Sequence, residues 1–271
     1  MMFGLEDQVV VITGSTGLLG REHALAVLGQ GGRVALLDID QVKLEEFEES
    51  LTEEWRNRTA SFLCDIRDEV RVLEVSKLIL LRFGTITGLI NNAAINPSVE
   101  KNTDKFERLE DLTFDSWQTQ LDVGLWGALV CSRIFGKIMI DIEVSGSIIN
   151  ISSDHGIMAP NQNLYKLPGI PKDLQPVKPV TYSIVKHGII GLTRYLSTYW
   201  ADSNLRVNAL CPGGVLNGQN QEFLNRFNEL VPLGRPANAD EYRGSIVFLL
   251  SKESSYMTGS VLVVDGGRSV W

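Results

Sequence analysis

The chain is poor in cysteine and histidine and carries no excess of basic charge. Its cysteines, Cys64, Cys131 and Cys211, are odd in number and far apart. They read as reduced, partly buried thiols of a cytoplasmic protein, not as a disulfide framework. No CxxC or HxxxH pair occurs, so no metal site is expected. The net charge is −8 and no Lys/Arg-rich run interrupts it. Such a surface repels a phosphate backbone, so no nucleic-acid partner is expected. No window approaches the roughly 20 apolar residues that span a bilayer, and Met1–Gln8 lacks the basic-then-apolar layout of a signal peptide. No membrane partner is therefore expected. There is no internal repeat, low-complexity linker or domain boundary. With 44% apolar and 21% charged residues, the composition is that of a globular domain able to bury a large core.

Short β-branched runs alternate with longer helical patterns. Strands are predicted at Val9–Thr13, Arg33–Asp38, Ala60–Cys64, Gly88–Asn91, Ser147–Ile151, Arg206–Leu210 and Val261–Val264. Helices are predicted at Glu22–Gln30, Val42–Arg56, Asp68–Arg82, Phe114–Ile140 and Tyr182–Trp200. Near-continuous apolar strands alternating with helices predict an α/β fold, a doubly wound parallel sheet of Rossmann type covered by helices on both faces. The whole chain, residues 1–271, reads as one domain. One segment breaks the rhythm: Met158–Pro179 carries Pro160, Pro168, Pro171, Pro176 and Pro179 without periodicity. An aperiodic insert of that length in a compact domain is usually functional or disordered.

Thr13-Gly14-Ser15-Thr16-Gly17-Leu18-Leu19-Gly20 lies directly between the first strand and first helix. Glycine lets the backbone turn tightly and approach a pyrophosphate, and the helix N-terminus stabilises its charge. Asp38 closes the second strand, roughly twenty residues on, where a carboxylate binds adenosine ribose hydroxyls and repels a 2′-phosphate. No Arg or Lys stands in the turn or just after Asp38 to offset that repulsion, so the expected cofactor is NAD, not NADP. Tyr182 and Lys186 are four apart at the start of a helix and share one face. A free phenol ionises near pH 10, too high for a neutral-pH base, and a fixed ammonium nearby favours the phenolate.

These motifs, with Cys64-Asp65, Asn91-Asn92-Ala93-Ala94, Ser152-Ser153, Arg206-Val207-Asn208, Pro212-Gly213 and Asp265-Gly266-Gly267, stand in one order along essentially the whole chain. In this the chain resembles the short-chain dehydrogenase/reductase superfamily. The resemblance implies an NAD-dependent enzyme acting on a small molecule, with Ser153, Tyr182 and Lys186 catalytic. Ser153 is chosen over Ser152 because Gly156 follows it at the family's distance. Further implied cofactor contacts are Asp65 and Ile66 at the adenine, Asn92 and Ala93 along the cleft, Lys186 at the nicotinamide ribose, and Pro212, Gly213 and Val215 near the carboxamide. Similar proteins pair the Phe114–Ile140 and Tyr182–Trp200 helices across a two-fold axis, so a homodimer or homotetramer is expected.

Three departures stand out. Leu18 occupies a place that is Gly in the usual short members. Gly124 stands where many members carry an Asn, and is expected to leave room for a second water. The separation of Ser153 from Tyr182 is about twice the usual one. That extra length is the Pro-rich insert, whose Asn161, Gln162, Asn163 and Gln175 suit a hydroxyl-rich ligand. Asn217–Phe227 should form a second, amide-rich wall. His155, Asn161 and Asn217 are accordingly expected at the substrate. A long insert before the Tyr is also similar to a bacterial subgroup of surface-polysaccharide and flagellin-glycan biosynthesis. A sugar, sugar phosphate or nucleotide sugar is therefore the expected substrate of a secondary alcohol/ketone interconversion. Two other readings are an epimerase or dehydratase using bound NAD without net redox, and a non-catalytic nucleotide-sensing or scaffold protein. His187, Trp117 and Trp126 are expected to pack, and His23 either to pack or to face solvent.

Overall fold

A computed structural model describes residues 2–95 and 108–271; Met1 and residues 96–107 of the expected single-domain span lie outside the described residues. The strands are β1 (Val9–Thr13), β2 (Arg33–Asp38), β3 (Thr59–Leu63), β4 (Gly88–Asn91), β5 (Gly146–Ile151), β6 (Leu205–Pro212) and β7 (Val261–Val264). They form one parallel seven-stranded sheet in the order β3-β2-β1-β4-β5-β6-β7. The helices are α1 (Leu18–Gly29), α2 (Gln41–Ser50), α3 (Glu53–Asn57), α4 (Glu69–Phe83), α5 (Phe114–Leu121), α6 (Gly127–Asp141), α7 (Val180–Tyr199), α8 (Gln221–Asn228) and α9 (Arg243–Leu250).

The sheet is buried on both faces because alternate side chains of each strand feed different cores. In β1, Val10 and Ile12 point into the core under α1, α2 and α9, while Val9 and Val11 join the core under α4, α6 and α7. All four are fully buried. Each contributes about 1.5–3 kcal/mol of burial, so a polar residue there would undo the strand.

Several predicted boundaries shift for local reasons. The predicted helix over Val42–Arg56 is two helices, because Leu51 turns its side chain into the core and the Thr52 hydroxyl caps α3 by accepting the Trp55 N–H. Such a cap is worth about 1 kcal/mol, enough to favour a restart over a continuous helix with a buried kink. Asp40, Asp68, Thr113 and Asn220 cap α2, α4, α5 and α8 in the same way. α8 and α9 are helices that the strand–helix alternation does not single out.

The helical run Phe114–Asp141 is long and apolar enough to cross a membrane, contrary to the window reading; 56% of its most apolar stretch is buried within the fold. It is not uniform. Asp122–Trp126 forms a π-helical turn between α5 and α6, with Gly124 buried at its centre. A Cβ on Gly124 would collide with Val185 Cγ1 of α7. The space expected to hold a second water is therefore filled by Val185, and the glycine is there to let two helices approach. Trp126 is 42% exposed, not packed.

Gly124→Asn should overpack this crossing and destabilise the protein by about 1–3 kcal/mol in urea unfolding, with Gly124→Asn/Val185→Ala recovering part of the loss. An unchanged unfolding midpoint in the single variant would show that the crossing can give way.

Candidate active site

The sheet reverses its winding between β1 and β4, and the chain leaves their C-terminal ends in opposite directions. That divergence opens a crevice, the usual ligand position in such sheets. A cleft of about 1140 Å³ occupies it. This is larger than most single small-molecule pockets and fits a dinucleotide with a substrate.

The turn after β1 forms the floor. Gly14 has φ +60°, and a Cβ there would meet Ala93 Cα at 2.8 Å, so only glycine fits. The Asn92 amide braces the turn, donating to the carbonyls of Thr13 and Gly14 at 3.1 and 2.9 Å. Thr13 Oγ1 accepts the N–H groups of Asn92 and Ala93. Gly17 ends the turn in extended backbone, φ −69°, and needs no left-handed conformation. Leu18 is half-exposed at the cleft rim, so its side chain does not crowd the cradle. Gly14, Thr16, Gly17, Leu18 and Leu19 all face the cleft. Ser15 and Gly20 do not. The Ser15 N–H and hydroxyl both turn to the Leu37 carbonyl, and Gly20 packs α1 against the turn.

Asp38 stands at the cleft edge. One carboxylate oxygen accepts the Thr16 N–H and hydroxyl at 3.0 and 2.8 Å, and the other accepts the N–H groups of Ile39 and Asp40. Asp65 and Ile66 form the neighbouring wall. The Arg67 guanidinium holds the Asp65 carboxyl below the usual range. Pro212, Gly213, Val215 and Asn217 line the far end.

The predicted catalytic side chains come together at the inner end. Ser153 leaves β5 and is buried. Tyr182 and Lys186 lie one turn apart at the start of α7, with the Lys186 ammonium 5.7 Å from the Tyr182 ring centre. Lys186 donates to the Ile151 carbonyl at 2.9 Å, which fixes it behind the tyrosine. Burial pushes the Tyr182 phenol up to about 12, opposed by a hydrogen bond with Ser153. Burial also lowers Lys186 to about 8. Ser152, by contrast, donates to the Lys186 carbonyl at 2.7 Å and anchors the helix to the strand.

The histidines separate clearly. His155 is buried in the cleft wall, edge-on to the Tyr182 ring at 6.0 Å, and burial lowers it to about 4, so it is neutral at pH 7. His23 is a core residue that burial takes to about 3, opposed by Asn92. His187 does not pack; it is exposed and contacts the Ser183 carbonyl. The three cysteines are free and buried.

The Pro-rich insert is ordered by its own side chains. Gln175 binds Leu167 and Ile170, and Gln162 binds Lys178 through backbone groups. Asn161 accepts the Asn163 N–H and is exposed away from the cleft, which corrects its expected place at the substrate. The amides were expected to face the ligand, but short turns have unpaired N–H groups and claim them first. Leu164, Tyr165 and Lys178 are the insert residues that reach the cleft. Leu164 packs on Phe227 and Val231. Lys178 sits 3.8 Å from the centre of the Tyr182 ring, and burial lowers it to about 8. Its position four residues before Tyr182 was a signal that sequence reasoning passed over.

Comparison with known proteins agrees with this layout. A family model described as short chain dehydrogenase matches residues 8–166, and one described as Enoyl-(Acyl carrier protein) reductase matches residues 174–269. The chain belongs to the short-chain dehydrogenase family. Among individual relatives, it is 31% identical to the NADH-dependent L-xylulose reductase of Ambrosiozyma monospora, over 99% of this chain and 97% of that protein. It is 28% identical to the post-translational flagellin modification protein A of Campylobacter coli, over 97% and 98%. A short chain dehydrogenase from Leptospira borgpetersenii, solved with bound NAD+, superposes with a TM-score of 0.84 at 28% identity, over 98% of this chain and 94% of that one.

The two adjacent serines should separate experimentally. Ser152→Ala removes a buried hydrogen bond and should cost about 1 kcal/mol of stability in thermal unfolding. Ser153→Ala also loses buried hydrogen bonds, to Asp154 and from the His155 N–H, but unlike Ser152→Ala it should abolish most turnover. The reverse pattern would exchange their roles.

Proposed function

We propose that this NAD-dependent enzyme interconverts a secondary alcohol and a ketone on a sugar, sugar phosphate or nucleotide sugar. The observation that carries the reading is the meeting of Ser153, Tyr182 and Lys186 at the inner end of a glycine-floored cleft. The residues present fit the cofactor: the cradle at Gly14 has no room for a Cβ, and Asp38 puts a carboxylate at the rim. Gly14, Thr16 and Gly17 would hold the pyrophosphate, Asp38 the adenosine ribose, Asp65 and Ile66 the adenine, Lys186 the second ribose, and the Val215 backbone the carboxamide. NAD supplies the hydride acceptor or donor.

The chain's own groups handle the proton. Ser153 Oγ holds the substrate oxygen beside Tyr182. Tyr182 Oη takes the hydroxyl proton during oxidation and returns it during reduction. Burial and the Asp154 charge oppose ionisation of its phenol and the Ser153 hydrogen bond favours it, with the Lys178 and Lys186 side chains beside the ring. Oxidation therefore rises with pH as the phenol ionises, and reduction falls.

The sugar-class substrate rests on the cleft's mixed lining, in which Lys178, Tyr165 and Asn217 accompany Phe223 and Phe227. The relatives named for L-xylulose reduction and flagellin modification support the same class. We place the homo-oligomer contact on α5 and α7, where Phe114, Ile184, Tyr195 and Tyr199 are exposed.

The test is NADH oxidation against L-xylulose, sugar phosphates and nucleotide sugars, with Tyr182→Phe as control. Tyr182→Phe should keep NAD affinity while turnover falls about 10²–10⁴-fold. Turnover near wild type in that variant would remove Tyr182 from the reaction. Asp38→Ala should weaken NAD binding and relax discrimination against NADP; tighter binding of NADPH than NADH by the wild type would overturn the Asp38 argument.

A further inference from the structure

One buried ion pair lies against the reacting groups and has no part in the chemistry above. Asp154 and Arg268 are 2% and 4% exposed, and Arg268 Nη1 donates to Asp154 Oδ2 at 2.5 Å. The other carboxylate oxygen, Oδ1, accepts the Ser153 hydroxyl at 2.8 Å and the His155 N–H at 2.7 Å. The His155 N–H also reaches Ser153 Oγ at 3.2 Å. A continuous chain of hydrogen bonds thus runs from the guanidinium to the serine hydroxyl.

Arg268 is delivered rigidly. The Asp265 carboxylate accepts the N–H groups of Gly267 and Ser269 at 2.9 and 2.8 Å, closing a turn through Gly266 and Gly267, both at positive φ. That turn seats on Gly213, where a Cβ would meet Asp265 Cα at 2.7 Å. The guanidinium carbon lies 5.2 Å from the centre of the Phe227 ring. The placement suits arginine, whose planar, weakly hydrated cation tolerates burial against an aromatic face.

Burying a carboxylate this deeply is costly unless a cation compensates its charge. We propose that Arg268 is a positioning residue of the active site: it clamps Asp154, so that this carboxylate anchors the Ser153 hydroxyl without presenting a bare negative charge to Tyr182. The inference rests on Ser153 and Tyr182 being the reacting pair. Several other titratable groups lie near enough to feel the charge of Asp154. They are His155 from its own turn, Lys178 from the end of the insert, Tyr182 from α7, Cys211 from β6 and Tyr242 from the segment before α9. Lys186 lies beyond Tyr182 on the same helix. His155 is neutral at pH 7, and Lys178 and Lys186 are already set against the tyrosine. Arg268 is the cation in direct contact with the carboxylate. Losing it leaves the anion to oppose the phenolate. Losing Asp154 leaves a cation that favours the phenolate.

The opposite signs give the test. Tyr182 ionisation is followed by ultraviolet difference titration of NAD-loaded protein, with the matching Tyr182→Phe protein subtracted. Arg268→Gln should raise the midpoint by about one unit or more, Asp154→Asn should lower it, and the double variant should return close to wild type. Arg268→Lys should restore most of the wild-type midpoint, and NAD affinity should stay within about twofold throughout. If Arg268→Gln does not fold, Asp154→Asn against the double variant reads the same sign. Unchanged midpoints, or shifts in one direction for both single variants, would reduce the pair to packing and overturn the proposal. A wild type with no ionisation assignable to Tyr182 would instead remove the proposed base, and this inference with it.

Discussion

Everything at the site depends on the parallel sheet ending its strands along one edge. β1 and β4 are adjacent but connect onward to opposite sides of the sheet, and the crevice lies at their shared end. The crevice there is a consequence of winding, not of any one residue. The glycine turn after β1, Asn92 after β4 and Ser153 after β5 reach it because each follows its own strand out of the sheet. A sheet buried on both faces holds those strand ends with little freedom, which is what lets short polar side chains act at fixed separations.

Burial then sets the charge states. The same desolvation that raises Tyr182 also lowers Lys178 and Lys186, so burial favours the neutral form of all three and moves the phenol and the two amines apart in proton affinity. Lys186 is held by the Ile151 carbonyl and Lys178 by the ordered end of the insert, so neither charge can swing away to solvent. The insert thus supplies a cation over the tyrosine ring where its amides were expected to supply hydrogen bonds to a ligand.

Much of this was legible in local patterns. The parallel, doubly wound sheet followed from apolar runs alternating with helices, and the strand residues were found to within a position or two because the central strands are apolar-rich and buried on both faces. Gly14, Asp38, Tyr182 and Lys186 were legible as residues of one cleft because each belongs to a short motif at a turn, a strand end or a helix start. The failures have a common cause. Asn161 looked ligand-facing because residue type reveals what a side chain can bond, not which unpaired N–H lies nearest. Ser15 sits between two cleft-lining residues yet turns to Leu37, since a tight turn points successive residues in different directions. Gly124 looked like room for water until α7 put Val185 against it.

By itself, then, the amino-acid order determined the fold class and singled out the glycine turn, Tyr182 and Lys186 that the fold brings to one cleft, because these depend on periodicity and on spacings of a few residues. Only the tertiary structure decided which polar groups face the cleft and which are consumed elsewhere. It placed Lys178 on the tyrosine ring and joined Asp154 to Arg268 across a separation of 114 residues. A hydrogen bond or ion pair between distant segments leaves no local pattern, since its geometry exists only after both cores have packed.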